Sequence, residues 1–241
     1  MLAGRGEALA SRYRIVAIDA LGHGQSDRLR DDELVGEGLD AAAAAMDALV
    51  ETTAEAIEAI SGPIVLIGHS MGGATAAVVA ATRPDLLRGV DLEEPAWQEL
   101  SAERWARRGA AWVAAARGDR ENPRGSVERD LADPANLWSA PEIEAWVDAH
   151  TRFDDRFVGI GRTEPTHPWR ELASTIEIPT LIVTGSDDVI IDANVRQEVA
   201  EIGNPRVRIE VVRGAGHSVR RDRGDAYHAV VDPFIASRFE Y

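Results

Sequence analysis

The 241-residue chain contains no cysteine, which excludes disulfides and thiolate metal sites. No apolar run approaches the roughly 20 residues that a membrane-spanning helix requires. The chain has fewer basic than acidic residues, with 26 Lys and Arg against 41 Asp and Glu, and its formal net charge is −15. Because nucleic acids and anionic membranes bind to basic faces, this charge argues against both as partners. Met1 is not followed by a signal-peptide pattern, so we expect a cytoplasmic protein.

The most informative segment that is present is the pentapeptide Gly68–Gly72, whose central residue is Ser70. An apolar run at 64–67 precedes it, and a small-residue stretch at 74–81 follows it. This context predicts a strand, a sharp turn and a helix, with the serine held as a nucleophile in a strained backbone. We expect both flanking glycines to be required, because side chains there would collide with the strand and the helix. A plain strand-to-helix turn is the alternative.

A serine nucleophile needs a general base, and the base needs an orienting acid. Two later apolar segments, 179–183 and 207–212, predict strands that run into glycine-bearing loops. The first loop contains Asp188 and the second contains His217. Because the carboxyl ends of parallel strands share one edge of a sheet, both residues can meet Ser70 there.

Four segments together resemble the α/β-hydrolase family. Asp19–Ser26 resembles the D-x-x-G-x-G-x-S motif after the fourth family strand, and Gly68–Gly72 resembles the elbow after the fifth. Gly185–Asp188 resembles the G-x-x-D motif after the seventh strand, and Gly214–Ser218 resembles the G-x-G-H motif before the last helix. The resemblance implies an α/β fold with a mostly parallel sheet flanked by helices, a helical lid after the sixth family strand, and a Ser-His-Asp triad.

The identity of the acid rests on this resemblance. Only Asp188 has the family's offset from Gly185, so we expect it to be the triad acid. Asp187 is an alternative, and so is Glu93 or Glu94, since some relatives place the acid after the sixth strand.

The resemblance also implies three parts. Residues 1–94 form the N-terminal part of the core, 95–170 the helical lid, and 171–241 the C-terminal part of the core. Within the first part, the sequence predicts a strand at Tyr13–Ile18 and a helix from about Leu39 to Ile60.

The chain departs from the family at its start. The family has about three more strands, and the third ends in an H-G pair whose loop supplies half of the oxyanion hole. Met1–Glu7 resembles the middle of the helix after that strand. We therefore expect a chain that is N-terminally truncated relative to the family. Three explanations for the missing strands stay open. The true start lies upstream, the chain is a fragment, or the sheet has closed up without these strands.

The expected function is a serine hydrolase that cleaves a small ester or related acyl compound through an acyl-enzyme. In this mechanism His217 takes the proton of Ser70, Asp188 orients the imidazole, and the Met71 backbone N–H donates to the oxyanion. Trp97 is the candidate for an apolar substrate pocket.

No cofactor is expected, and no metal, because no histidine pair has metal-ligand spacing. The sequence leaves the oligomeric state open. A catalytically weak ligand-binding protein on the same fold is the alternative function, which the missing H-G loop favours.

Overall fold

The computed structural model describes residues 9–30 and 39–240. The described residues include a sheet of four parallel strands that lie in chain order. The strands are β1 Val65–His69, β2 Gly89–Glu93, β3 Thr180–Thr184 and β4 Val207–Val211. The inner strands β2 and β3 are buried along their whole length, whereas β1 and β4 are partly exposed. Parallel strands covered on both faces read as nearly continuous apolar runs, as 180–184 does. The parallel sheet confirms the predicted fold class.

Ten α-helices are described, together with a short 3₁₀ turn at Pro84–Leu86. They are α1 Leu39–Glu58, α2 Met71–Thr82, α3 Ala102–Glu121, α4 Pro123–Ala132, α5 Ala140–Thr151, α6 Asp155–Ile160, α7 Trp169–Thr175, α8 Ala193–Ile202, α9 Val219–Asp222 and α10 Gly224–Phe239. None of the helices in these ranges is long and apolar enough to cross a membrane.

Helix α2 explains how the sheet is covered. Its sequence consists almost wholly of Gly, Ala, Val and Thr, and residues 73–80 are all buried. Such small side chains let the helix pack closely against its neighbours on every side. The helix ends at Thr82 because Pro84 cannot continue it.

The chain divides into two compact units. One contains the described residues of Met1–Ala48 together with Leu100–Arg162. The other, which we call the sheet unit because it contains all four strands, consists of Leu49–Glu99 and the described residues of Thr163–Tyr241. The expected division at residues 94 and 170 stays a prediction. Within the first unit, the Gly22 carbonyl accepts the Asp154 N–H at 2.8 Å.

The strand predicted at Tyr13–Ile18 is not formed, since this segment has no regular secondary structure. Ile15, Val16 and Ile18 are 42%, 44% and 45% exposed. A strand exists only where its backbone groups pair with a neighbour, and none of the four described strands pairs with this segment. Met1–Glu7 lies outside the described residues.

Candidate active site

Ser70 lies at the junction of β1 and α2. Its φ of 54° and ψ of −116° place it in a region that few residues other than glycine adopt. Such a conformation costs on the order of 1–3 kcal/mol and persists only where the surroundings impose it. Here the Ser70 N–H donates to the Glu93 carbonyl, and the Ser70 carbonyl accepts from the N–H groups of Ala74 and Ala96.

The two glycines of the pentapeptide have different roles. A Cβ at Gly68 would lie 2.2 Å from the Gly72 carbonyl oxygen, so no side chain fits there. A Cβ at Gly72 would meet nothing within 4 Å among the described residues, which corrects the prediction that both flanks are sterically required. The second crowded position is Gly73, where a Cβ would lie 3.0 Å from Pro95 Cα.

His217 faces Ser70 from the loop after β4. Its Nε2 atom lies 2.9 Å from the Ser70 hydroxyl oxygen. The loop is shaped by Gly214, whose φ is 73°, and by the Gly216 N–H, which donates to Asp222 at 2.7 Å. The structure therefore brings together the nucleophile and the base that the sequence motifs predict.

The other imidazole nitrogen faces a different acid from the one expected. His217 Nδ1 lies 3.2 Å from Glu94 Oε2, and the Glu94 side chain is completely buried. Asp188 is exposed and does not occupy this position. Glu94, which directly follows β2 and was one of the alternatives, thus lies where the family motif predicts Asp188. Glu94 reaches this position with a φ of 46°, a left-handed conformation that turns the chain sharply at the strand end.

Several donors fix the Glu94 carboxylate. It accepts the Ile190 N–H at 2.7 Å, the Ile191 N–H at 3.4 Å and the Thr184 hydroxyl. An ionised carboxylate can only accept, so His217 must present Nδ1–H to it. Nε2 is then left unprotonated and can accept the proton of Ser70.

Two further acids, Glu93 and Asp91, lie buried on β2. Glu93 is 5% exposed and accepts the Arg220 N–H at 2.7 Å, and burial raises the pKa of its carboxyl group. Asp91 is fully buried and accepts the Tyr227 hydroxyl at 2.6 Å. Burial raises the pKa of Asp91 from 3.8 to about 8. Its Oδ1 atom has no hydrogen-bond partner among the described residues.

Two other predicted site residues lie in the same unit. Met71 is the first residue of α2, where backbone N–H groups have no acceptor within the helix. Trp97 is only 1% exposed and stacks on Trp169 with ring centroids 5.5 Å apart. It belongs to the hydrophobic core of the sheet unit, so the structure places it as a packing residue and not on an open pocket wall.

The described residues contain no group of three or more His, Asp or Glu side chains that could hold a metal ion.

The sequence and the fold of the chain match those of known proteins. The model of the alpha/beta hydrolase family matches residues 5–230, and the chain belongs to that family. An (E)-2-((N-methylformamido)methylene)succinate hydrolase of Acinetobacter baylyi is 28% identical over 192 residues, which are 76% of this chain. The acetyltransferase component of the acetoin cleaving system of Cupriavidus necator is 28% identical over 233 residues, which are 93% of this chain.

These matches cover 65% and 57% of the two relatives, so the chain spans less than two thirds of the length of either. Among solved structures, an N-formylmaleamic acid deformylase of Pseudomonas putida superposes with a TM-score of 0.71 at 18% identity. That superposition covers 94% of this chain and 84% of the deformylase, and it shows a shared fold.

Proposed function

We propose that this chain is a serine hydrolase that cleaves small ester or related acyl compounds through an acyl-enzyme. The observation that carries the proposal is the line of three side chains, in which His217 links Ser70 at 2.9 Å to the buried Glu94 at 3.2 Å. Both distances suit hydrogen bonds, and the order of nucleophile, base and acid is that of a catalytic triad.

The steps follow from the positions of these groups. His217 Nε2 removes the Ser70 proton as Oγ attacks the substrate carbonyl, and Glu94 stabilises the imidazolium that forms. Negative charge then develops on the carbonyl oxygen near the start of α2, where the helix dipole and the Met71 N–H are favourable to it. The imidazolium returns its proton to the leaving group, and a water activated by His217 releases the acyl group from Ser70.

The names of two similar proteins suggest a substrate class. The Acinetobacter relative is named as a hydrolase of an N-methylformamido compound and the Pseudomonas protein as a deformylase, and both names describe small acids with an N-formyl group. We therefore include small N-formyl amides with esters among the acyl substrates to be tested. A cytoplasmic location and small-molecule partners stay predictions from the sequence.

The test is labelling with a fluorophosphonate probe together with hydrolysis of p-nitrophenyl esters and N-formyl amides. Ser70→Ala should abolish labelling and lower turnover by about 10⁶-fold, as loss of the nucleophile does in a serine hydrolase. Ser174→Ala, which removes an exposed hydroxyl bonded to the Glu171 carbonyl, is the matched control and should label like the unmodified protein. Equal hydrolysis by Ser70→Ala and Ser174→Ala would refute the proposal.

A further inference from the structure

The last residues of β1 and β2 both bind the backbone of the segment that carries His217. His69 and Glu93 are register partners in the parallel sheet, so they end neighbouring strands at the same edge. His69 Nε2 lies 2.9 Å from the His217 carbonyl oxygen, and Glu93 accepts the Arg220 N–H at 2.7 Å. The segment 217–220 is therefore held at two points, once through a carbonyl and once through an N–H.

We propose that His69 and Glu93 form a strand-end clamp, a pair of positioning residues that hold the imidazole of His217 against Ser70. This inference rests on the proposed function, because it assigns these residues to the placement of that catalytic base. Glu94 orients the His217 side chain, whereas the clamp fixes the backbone from which that side chain projects.

The chemistry of His69 suits this role. A carbonyl oxygen can only accept, so His69 must carry its proton on Nε2. The two imidazole rings lie 4.8 Å apart, and His217 becomes positively charged during the proposed reaction. Burial, and in smaller measure the neighbouring His217, lowers the pKa of His69 to about 4. His69 thus donates a hydrogen bond at neutral pH without placing a second positive charge beside the base.

Glu93 supplies the opposite half of the clamp. Its carboxylate lies in the interior of the sheet unit, and it accepts a backbone N–H at the start of α9. A buried acid on a central strand is costly unless hydrogen bonds compensate its desolvation, and this bond to the base-carrying segment is one of them. The neighbouring residues Glu93 and Glu94 therefore bind the same segment, one through its backbone and the other through its side chain.

The proposal predicts a loss of reaction rate with little change in substrate binding. A displacement of about 1 Å at a catalytic group can cost about 10²-fold in rate. His69→Phe keeps a ring against His217 but removes the donor. It should therefore slow fluorophosphonate labelling of Ser70 by about tenfold to 10²-fold, while the KM for p-nitrophenyl ester hydrolysis stays nearly unchanged. His69→Gln restores an N–H donor and should recover most of the rate. His167→Phe, at an exposed histidine of the same unit, is the matched control.

A second pair of variants tests Glu93, the other half of the clamp. It also keeps the proposal testable if a His69 variant fails to fold. Glu93→Gln keeps an acceptor for the Arg220 N–H, and Glu93→Leu removes it. Labelling should be slower in the Leu variant than in the Gln variant. Thermal unfolding of every variant identifies those that are folded.

The NMR resonance of the His217 Nδ1–H proton gives a readout that does not depend on activity. It should shift in His69→Phe and keep its position in His69→Gln. The clamp is refuted if the folded Phe and Gln variants label at the same rate and leave this resonance in place. Failure of the proposed function is a separate outcome, in which the unmodified protein is not labelled at Ser70 while the resonance still responds to His69→Phe.

Discussion

Two acidic pairs follow neighbouring strands of the same sheet, and their surroundings differ sharply. Glu93 and Glu94 stand at the end of β2 and are 5% and 0% exposed, whereas Asp187 and Asp188 follow β3 and lie at the surface. The carboxylate of Glu94 accepts two backbone N–H groups and a hydroxyl in addition to the imidazole. In the proposed mechanism, a position at the carboxyl edge is therefore not sufficient for an orienting acid. The carboxylate must also be enclosed and held by donors that fix its direction.

The largest difference in kcat is expected when one acid of each pair is replaced by its amide. Glu94→Gln should lower kcat by about 10⁴-fold, because an amide at this position stabilises the wrong imidazole tautomer, as in Ser-His-Asp enzymes. Asp188→Asn should leave kcat nearly unchanged, because Asp188 is exposed and the carboxylate that His217 Nδ1 faces is that of Glu94. Ester hydrolysis by the two purified variants measures both effects.

A large loss of kcat in Asp188→Asn, with a small one in Glu94→Gln, would reverse this comparison. It would restore the acid that the G-x-x-D motif predicts. Thermal unfolding of both variants serves as the control, since a misfolded protein would also lose activity.

The second expected effect is on the pH dependence of stability. Burial raises the pKa of Asp91 to about 8, so the folded protein keeps a proton that the unfolded chain releases near pH 4. The free energy of unfolding should therefore fall as the pH rises from about 4 to about 8, by up to about 1.4 kcal/mol per pH unit. Asp91→Asn retains an acceptor for the Tyr227 hydroxyl and should flatten this slope.

Urea unfolding across this pH range measures the slope, and Asp187→Asn is the control from the exposed pair. We expect Asp187→Asn to keep the slope of the unmodified protein. If Asp91→Asn also kept the slope of the unmodified protein, the raised pKa of Asp91 would not be its cause.

The smallest effect is expected from the hydroxyl that links the two strand ends. Thr184, the last residue of β3, donates its hydroxyl to Glu94. Thr184→Val keeps the shape of the side chain but removes this donor, and a hydrogen bond to a charged group is worth about 1.5–3 kcal/mol. We expect kcat to fall by about tenfold, a change of about 1.4 kcal/mol in activation free energy. A full 10⁴-fold loss would mean that Glu94 has no other effective support.

The sequence predicted the parallel sheet and the approach of His217 to Ser70, because the motifs that specify them are local. The pentapeptide around Ser70 requires Gly68 on steric grounds, and His217 follows a strand in a glycine-bearing loop. Asp192 caps helix α8 by accepting the N–H groups of Asn194 and Val195, another short-range interaction. These features need only a few consecutive residues to specify them.

The acid could not be chosen in this way. Asp188 had the motif spacing, while Glu94 was one of several alternatives with no local signal in its favour. An acidic residue at the end of a buried central strand was the available hint, because such a residue must be compensated by hydrogen bonds. Likewise, the segment Tyr13–Ile18 has the composition of a strand but lacks a pairing partner among the described strands.

By itself, then, the sequence determined the strand–turn–helix around Ser70, the parallel α/β class and the loop that carries His217. Only the tertiary structure decided which carboxylate faces His217 and which strand-end side chains bond to the backbone of its segment. The physical reason is distance along the chain, since Glu94 is gathered with Thr184, Ile190 and His217 only when strands β2, β3 and β4 pair. The balance between desolvation and hydrogen bonding that selects one acid exists only after that assembly.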